Sequence, residues 1–213
     1  MAVLRKRFTP EQMAVLEKLN RADTKHLPRM RQLVIPDRFD LDELKYSPLP
    51  QEYPSAKDRP KAIVVYLPGQ VMGAYENGKL VRWAPISSGS DVVPTPEGFY
   101  HLNWRSKGRT STEDKSWYMN WYFNFQNAEG RAFHELEMPG YPASHSCIRM
   151  LKRDAMWLYE WGEQWKLDPE RKAVLEPGTP VFMVGQYDFK SYYPWRIPEW
   201  LAAPVTLPPL PAE

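Results

Sequence analysis

The sequence predicts a mostly β fold with one or two helices, flanked by an N-terminal helical appendage and an extended, proline-rich C-terminal arm. Three observations predict it. From Lys61 the chain breaks into short β-branched and aromatic segments separated by turn residues. Helical periodicity is confined to the first twenty residues and one stretch after residue 150. The last twenty residues contain six prolines, which excludes a helix or a central strand there. With 213 residues, 43% hydrophobic and 14% aromatic, the chain can bury a core.

Taken in order, Thr9-Pro10-Glu11-Gln12 is a capping box with proline at the first helical position, and Met13, Leu16 and Leu19 follow at helical spacing to about Asn20. Proline and charge then dominate to residue 60 with no sustained period, so residues 1–60 read as a helical appendage and linker. Within it, Leu16–Asp37, with its Leu-Asn pair and closing Leu-Val-Ile-Pro, weakly resembles the end of a LysM glycan-binding repeat; the plainer reading is a structural packing segment. Residues 61–188 form the main domain. Ala62–Leu67 reads as a strand, Asn77-Gly78 as a hairpin turn and Leu80–Ile86 as the returning strand. Gly98–Trp104 and Gly130–His134 are further strands. Trp117–Phe125 alternates Trp117, Met119, Trp121, Phe123 and Phe125 with Tyr118, Asn120, Tyr122 and Asn124, predicting an apolar core face and a polar-aromatic face that is solvent-side structure or a groove wall. Leu151 to about Trp165 is a helix, and Val181–Val184 the last strand. Residues 189–213 form the arm; Trp195, Ile197, Trp200, Leu201, Leu207 and Leu210 suit it to lie along a surface, as a structural strap or as a proline-rich ligand for a partner.

Composition excludes several functions. With 28 Lys+Arg against 26 Asp+Glu there is no basic field for nucleic acid or an anionic membrane, and no uncharged run approaches the roughly 20 residues of a membrane span. Met1–Pro10 is positively charged but lacks the apolar run of a secretory leader, so compartment is open at this level. One cysteine, Cys147, excludes an internal disulfide framework; it is an inert thiol, half of an intermolecular bridge, a metal ligand or a nucleophile.

His134, His145 and Cys147 fall within fourteen positions. A histidine in contact with a cysteine accepts its proton and lowers its pKa, the minimum apparatus for acyl transfer. Pro139-Gly140-Tyr141-Pro142 has loop composition, which would set Cys147 between a loop and a helix, where backbone N–H groups can hold an oxyanion. The competing readings are a buried small hydrophobe, or a zinc set of His145, Cys147, His134 and His101 whose spacing fits no common finger.

Ser144-His145-Ser146-Cys147-Ile148-Arg149-Met150 resembles the Ser-His-Gly-Cys-Ile-Arg-Met signature of the L,D-transpeptidases of the YkuD type. In the same order, Val64–Leu67 with Tyr75–Val81 is similar to that domain's opening hairpin, Ile86–Gly89 with Pro94–Phe99 to its S-T-G…T-P-x-G-x-F segment, Phe133-His134 to its I-H-G strand end, and Pro177–Val181 to its closing strand. The resemblance spans about residues 62–185. It implies a β-sandwich or barrel-like catalytic domain acting without a cofactor or metal on peptidoglycan stem peptides, as donor and acceptor, in the periplasm or cell envelope, and we expect a monomer.

The same resemblance implies that Cys147 is the nucleophile, His134 the base, the Glu135 carbonyl the third member, and the Ser146 N–H part of the oxyanion hole, with Arg149, His145, Ser144, Tyr118 and Trp121 toward substrate. A guanidinium suits the Arg149 role because it pairs bidentately with a carboxylate. Three departures bear on the pocket lid: Ser146 replaces glycine, Glu135 replaces a small residue, and only nine residues separate His134 from Ser144. They suggest a divergent branch, including one joining L-Ala of one stem to diaminopimelate of the next (a 1,3 cross-link).

Overall fold

The structure is a computed structural model of the chain and describes residues 2–40, 42–112, 114–191, 193–197 and 203–211. Two helices open it: α1 (Ala2–Arg7) and α2 (Pro10–Asn20), the latter held at its N-terminus by the reciprocal Thr9–Gln12 capping box. The strands that follow are β1 (Ala62–Tyr66), β2 (Val71–Glu76), β3 (Lys79–Ser87), β4 (Gly98–His101), β5 (Arg105–Thr110), β6 (Tyr118–Gln126), β7 (Arg131–Glu135) and β8 (Ile148–Met150). After them come α3 (Lys152–Trp161), a short ladder of β9 (Lys166–Leu167) and β10 (Val174–Glu176), and β11 (Pro180–Val184).

Nine strands form one sheet in the order β4-β11-β1-β2-β3-β8-β7-β6-β5. The sheet curls into a half-barrel, because Leu102–Trp104 carries the chain from one end to the other: the Leu102 N–H bonds the Thr179 carbonyl, while Asn103 and Trp104 bond the backbone of Asn124. That crossing ends at His101 the strand expected to run to Trp104. The strand β1 is apolar on both faces, so it needs cover on both. Ile63 and Val65 enter the core inside the curl with Phe123, Phe133, Ile148 and α3. Ala62 and Val64 enter a second core with Trp83, closed by Leu49, Tyr53 and Ala56 from the N-terminal segment and by Val205, Leu207 and Leu210 of the C-terminal arm.

Both flanks are therefore packed onto the sheet. The arm is pinned by the Val205 N–H on Pro48 O (2.8 Å), the Leu210 N–H on the Ser55 hydroxyl (2.6 Å) and the Tyr53 hydroxyl on Pro208 O. Trp195 is fully buried, with the Arg21 guanidinium 5.4 Å over its ring. Trp200 and Leu201 lie outside the described residues. The helix α2 docks through charge: Lys18, 2% exposed, donates to the Trp83 carbonyl, pairs with Glu43 and lies 3.9 Å from Asp154, whose Oδ1 also takes Arg82 Nε and Nη2 at 3.0 and 2.7 Å.

Other elements depart from the sequence reading. A 3-10 turn at Leu67–Gly69 and a left-handed Gln70 insert the extra strand β2, so the Asn77-Gly78 hairpin joins β2 to β3. Neither Arg-Ser-Lys-Gly-Arg-Thr (β5) nor the three-residue β8 carries an alternation signal, and both form because neighbours complete their ladders. The helix α3 stops at Trp161, as Gly162 turns extended where a side chain would strike Leu102 and Phe123. Since breaking a buried ion network leaves uncompensated charge, Asp154→Ala is expected to cost about 3–5 kcal/mol in urea unfolding. Lys45→Ala, removing an exposed pair with Asp40, should cost at most about 1 kcal/mol.

Candidate active site

The strands β7 and β8 pair in parallel, with Phe133 opposite Ile148 and His134 opposite Arg149. The chain between them, residues 136–147, must return the full length of a strand, and this crossover is the loop that ends at Cys147. It is tied at several points. The Met138 N–H donates to the Asp23 carboxylate (Oδ2, 2.8 Å) and the Met138 carbonyl accepts the Asp23 N–H (2.9 Å). The Ser88 carbonyl accepts the N–H groups of Ala143 and Ser144 at 3.0 Å, and Ser88 itself is gripped by the buried Gln70 side chain at its N–H and hydroxyl, each 2.9 Å. Cys147 thus follows a loop as expected, but the strand β8, not a helix, follows it.

Ser146, where the resembling motif has glycine, holds the left-handed conformation, φ 70°. A non-glycine residue there is strained by roughly 1–3 kcal/mol and must be over-determined by its surroundings. The surroundings supply two clamps. The Thr95 hydroxyl accepts the Gly89 N–H (2.9 Å) and donates to the Ser146 carbonyl (3.0 Å), and Arg131 Nε donates to the Ser146 hydroxyl (3.2 Å) while its far end pairs with Glu129. Ser144 donates its hydroxyl to the Cys147 carbonyl, closing the turn.

His134 is 3% exposed, and its Nδ1 lies 3.1 Å from the Glu135 carbonyl. A carbonyl only accepts, so Nδ1 carries the proton and Nε2 keeps its lone pair. Burial pushes the imidazole down to about 4, against the raising effect of that hydrogen bond; the Arg149 charge lowers it further. Burial likewise raises the Cys147 thiol, opposed by a hydrogen bond at the Ala132 backbone and by the Arg131, Arg149 and Arg109 guanidiniums. At rest the thiol points to the Gly130 carbonyl, 3.9 Å away, rather than to the imidazole.

Cys147 and His134 line one cavity of about 650 Å³ with Arg149, His145 and Ser144. Arg149 and His145 are joined through Trp117: the guanidinium lies 6.0 Å over the indole and the imidazole packs against it at a tilt of 53°, ring centres 4.9 Å apart. Tyr118 and Trp121, expected toward substrate, do not line this cavity. Trp121 sits in a β-bulge, φ 53°, that shifts the register between Asn120 and Phe123 and reverses the alternation of the strand. Before the bulge Trp117 and Met119 face the cavity; after it Tyr122 does, while Phe123 and Phe125 join the core. Trp121 turns to the core against Tyr159 (5.5 Å) and Tyr118 is exposed above Gly108. Period-two reasoning cannot foresee a bulge. Arg109, Arg131 and Thr95 also escaped it, since the contacts that bring them to the site are with residues distant in sequence.

His101 does not join this group: it packs edge-on against Phe99 on β4 (5.1 Å). Among the described residues no cluster of three or more His, Cys, Asp or Glu side chains is placed to hold a metal.

Residues 60–183 match the family model of the L,D-transpeptidase catalytic domain, YkuD. An L,D-transpeptidase structure from Stackebrandtia nassauensis is 22% identical, covering 61% of this chain and 58% of its own, with a TM-score of 0.49. L,D-transpeptidase 1 of Mycobacterium tuberculosis is 18% identical over 59% of this chain and 63% of its own (TM-score 0.45), and an L,D-transpeptidase from Mycobacterium smegmatis 16% identical over 59% of each (TM-score 0.47). The chain thus spans about three fifths of the length of these structures. No curated protein matches it.

The imidazole sets a pH dependence. Its pKa falls from 6.5 to about 4 on folding, so between those values the unfolded chain binds a proton that the folded one refuses. Stability is therefore expected to fall as pH falls from about 6.5 to about 4, by up to about 3 kcal/mol, with no contribution above 6.5. Chemical denaturation across that range should show the slope, and His134→Gln should flatten it.

Proposed function

The chain belongs to the L,D-transpeptidase catalytic-domain family, and from that premise we propose that it cross-links peptidoglycan stem peptides through a Cys147 acyl-enzyme. The observation that carries the reading is the Glu135 carbonyl on His134 Nδ1, which leaves Nε2 as the base in the cavity that holds the Cys147 thiol. In the first step Nε2 takes the thiol proton as sulfur attacks a carbonyl following an L-configured centre. The N–H groups of Ser146 and Cys147, at the left-handed turn, receive the oxyanion. His134 then returns the proton to the departing amine, leaving a thioester. In the second step an acceptor amine attacks that thioester, its proton goes to His134, and the thiolate departs. Arg149 holds a substrate carboxylate beside the reacting carbonyl.

The donor centre is diaminopimelate, with release of the terminal D-amino acid, or L-Ala, which gives the 1,3 cross-link. The second belongs here because Ser146, Glu135 and the nine-residue spacing reshape the pocket lid. The substrate places the enzyme in the cell envelope. No helix among the described residues is long and apolar enough to cross a membrane. We take it to act as a monomer.

One observation supports a second reading, a cell-wall binding protein without turnover: the resting thiol is raised by burial and turned to Gly130. Mass spectrometry of purified muropeptides after incubation is expected to show cross-linked dimers, whose masses identify the linkage, and none with Cys147→Ala. Trimmed monomers alone would mean that water replaces the amine, as in a carboxypeptidase or amidase. Thiol labelling that is slow near pH 7 and unaffected by His134→Ala would favour the binder.

A further inference from the structure

The cavity holds a second arginine that nothing in the acyl-transfer steps uses. Arg109 projects from β5, three strands along the sheet from Arg149 on β8, and both line the cavity with Cys147. Its guanidinium lies 5.1 Å over the ring of Trp104 and 5.1 Å over that of Tyr122, and those rings are themselves 5.1 Å apart. Each ring is anchored at its polar tip: Trp104 Nε1 donates to Asn127 Oδ1 (2.9 Å) and the Tyr122 hydroxyl to the Gly130 carbonyl (2.9 Å). The cation therefore stands on a fixed aromatic platform.

Stacking occupies the face of a guanidinium and leaves its edge of N–H donors for an in-plane acceptor. One donor is directed to the Tyr122 hydroxyl. Arg109 pairs with no carboxylate among the described residues, whereas Arg131, the third guanidinium acting on the thiol, is neutralised by Glu129. Holding an unpaired arginine in this orientation serves stability poorly and serves recognition of a planar anion well.

We propose that Arg109 binds a second carboxylate of the stem peptide, so that the substrate lies across the cavity between Arg149 and Arg109 with its scissile carbonyl at Cys147. The inference rests on the reading above that stem peptides are the substrate. It makes Arg109 a specificity residue: a stem peptide amidated at the carboxylate that reaches Arg109 would lose its partner at that end of the cavity while the reacting centre is unchanged.

The test uses binding, separate from turnover. In the full chain carrying Cys147→Ala, affinity is measured by calorimetry for a purified disaccharide-tetrapeptide with free carboxylates and for the same muropeptide with its carboxylates converted to carboxamides. Adding Arg109→Gln is expected to weaken the free acid roughly 10- to 100-fold, the scale of a hydrogen-bonded charge, and to change the amide less than about twofold. Arg109→Lys should recover part of the loss, and a near-ultraviolet circular dichroism spectrum matching that of the parent shows that the platform survives. An equal loss for both ligands, no loss for either, or no binding of the free acid to the parent would overturn the proposal. Dimer formation by the wild-type enzyme alongside any of those results would overturn it alone and leave the acyl-transfer reading standing.

Discussion

The parallel pairing of β7 with β8 is the constraint on which the site depends. Parallel neighbours cannot be joined by a tight turn; the chain must travel back along the strand before it can pair again. Here that return is made by residues 136–147, a dozen positions without helix or strand. A segment so short cannot choose its own path, so it is tied to whatever it passes: Asp23 in the N-terminal segment, Ser88 after β3, and Thr95 beyond it. The ladder sets His134 opposite Arg149, and the end of the return delivers Cys147 immediately before the paired residue Ile148. Proximity of thiol, imidazole and guanidinium is a property of strand register. No attraction among the three is needed to assemble them, which matters because two would repel if the imidazole were charged.

That arrangement accounts for the flanks. A sheet whose interior strand β1 is apolar on both sides is soluble only when its outer face is covered, and the covering comes from residues 44–56 and from the C-terminal arm. The N-terminal segment does more than cover. Asp23, which follows α2, takes the Met138 N–H, and Lys18 and Glu17 on α2 bind the Arg82–Asp154–Arg153 side of β3 and α3. The N-terminal segment thus covers the second core through residues 44–56 and, through Asp23 just after α2, fixes one end of the loop that leads to Cys147.

Much of this was legible in the sequence, for identifiable reasons. The capping box at Thr9, the Asn77-Gly78 turn and the helix after Leu151 announce themselves because their determinants are local, within four residues. The Cys147 motif and His134 could be singled out because rare, reactive residue types cluster there. What escaped depends on distant partners. The strand β5 has no apolar face of its own and forms on β6. The bulge at Trp121 reverses which side chains of β6 face the cavity, exchanging Tyr118 and Trp121 for Met119 and Tyr122. Thr95 acts through Ser146, 51 residues away, and Arg109 through a platform made by Tyr122 of β6 and Trp104 of the crossing before β5. Side-chain alternation is a one-strand signal, and these are relations between strands.

The electrostatics of the pair also follow from the fold. Burial lowers the imidazole and raises the thiol, so both shifts favour the uncharged pair. A standing thiolate in such a site would be the form that oxidants attack. In the proposed acyl transfer, keeping the thiol protonated and turned toward Gly130 would withhold that reactivity until a carbonyl enters the cavity. On that proposal the developing charge would meet groups already in place: a backbone turn held open at Ser146 by Thr95 and Arg131, and guanidiniums at Arg149 and Arg109. Because those groups are positioned by the ladder and its clamps, the proposed reaction would need little reorganisation, and the strain of a left-handed serine would be the cost of having the donors fixed beforehand.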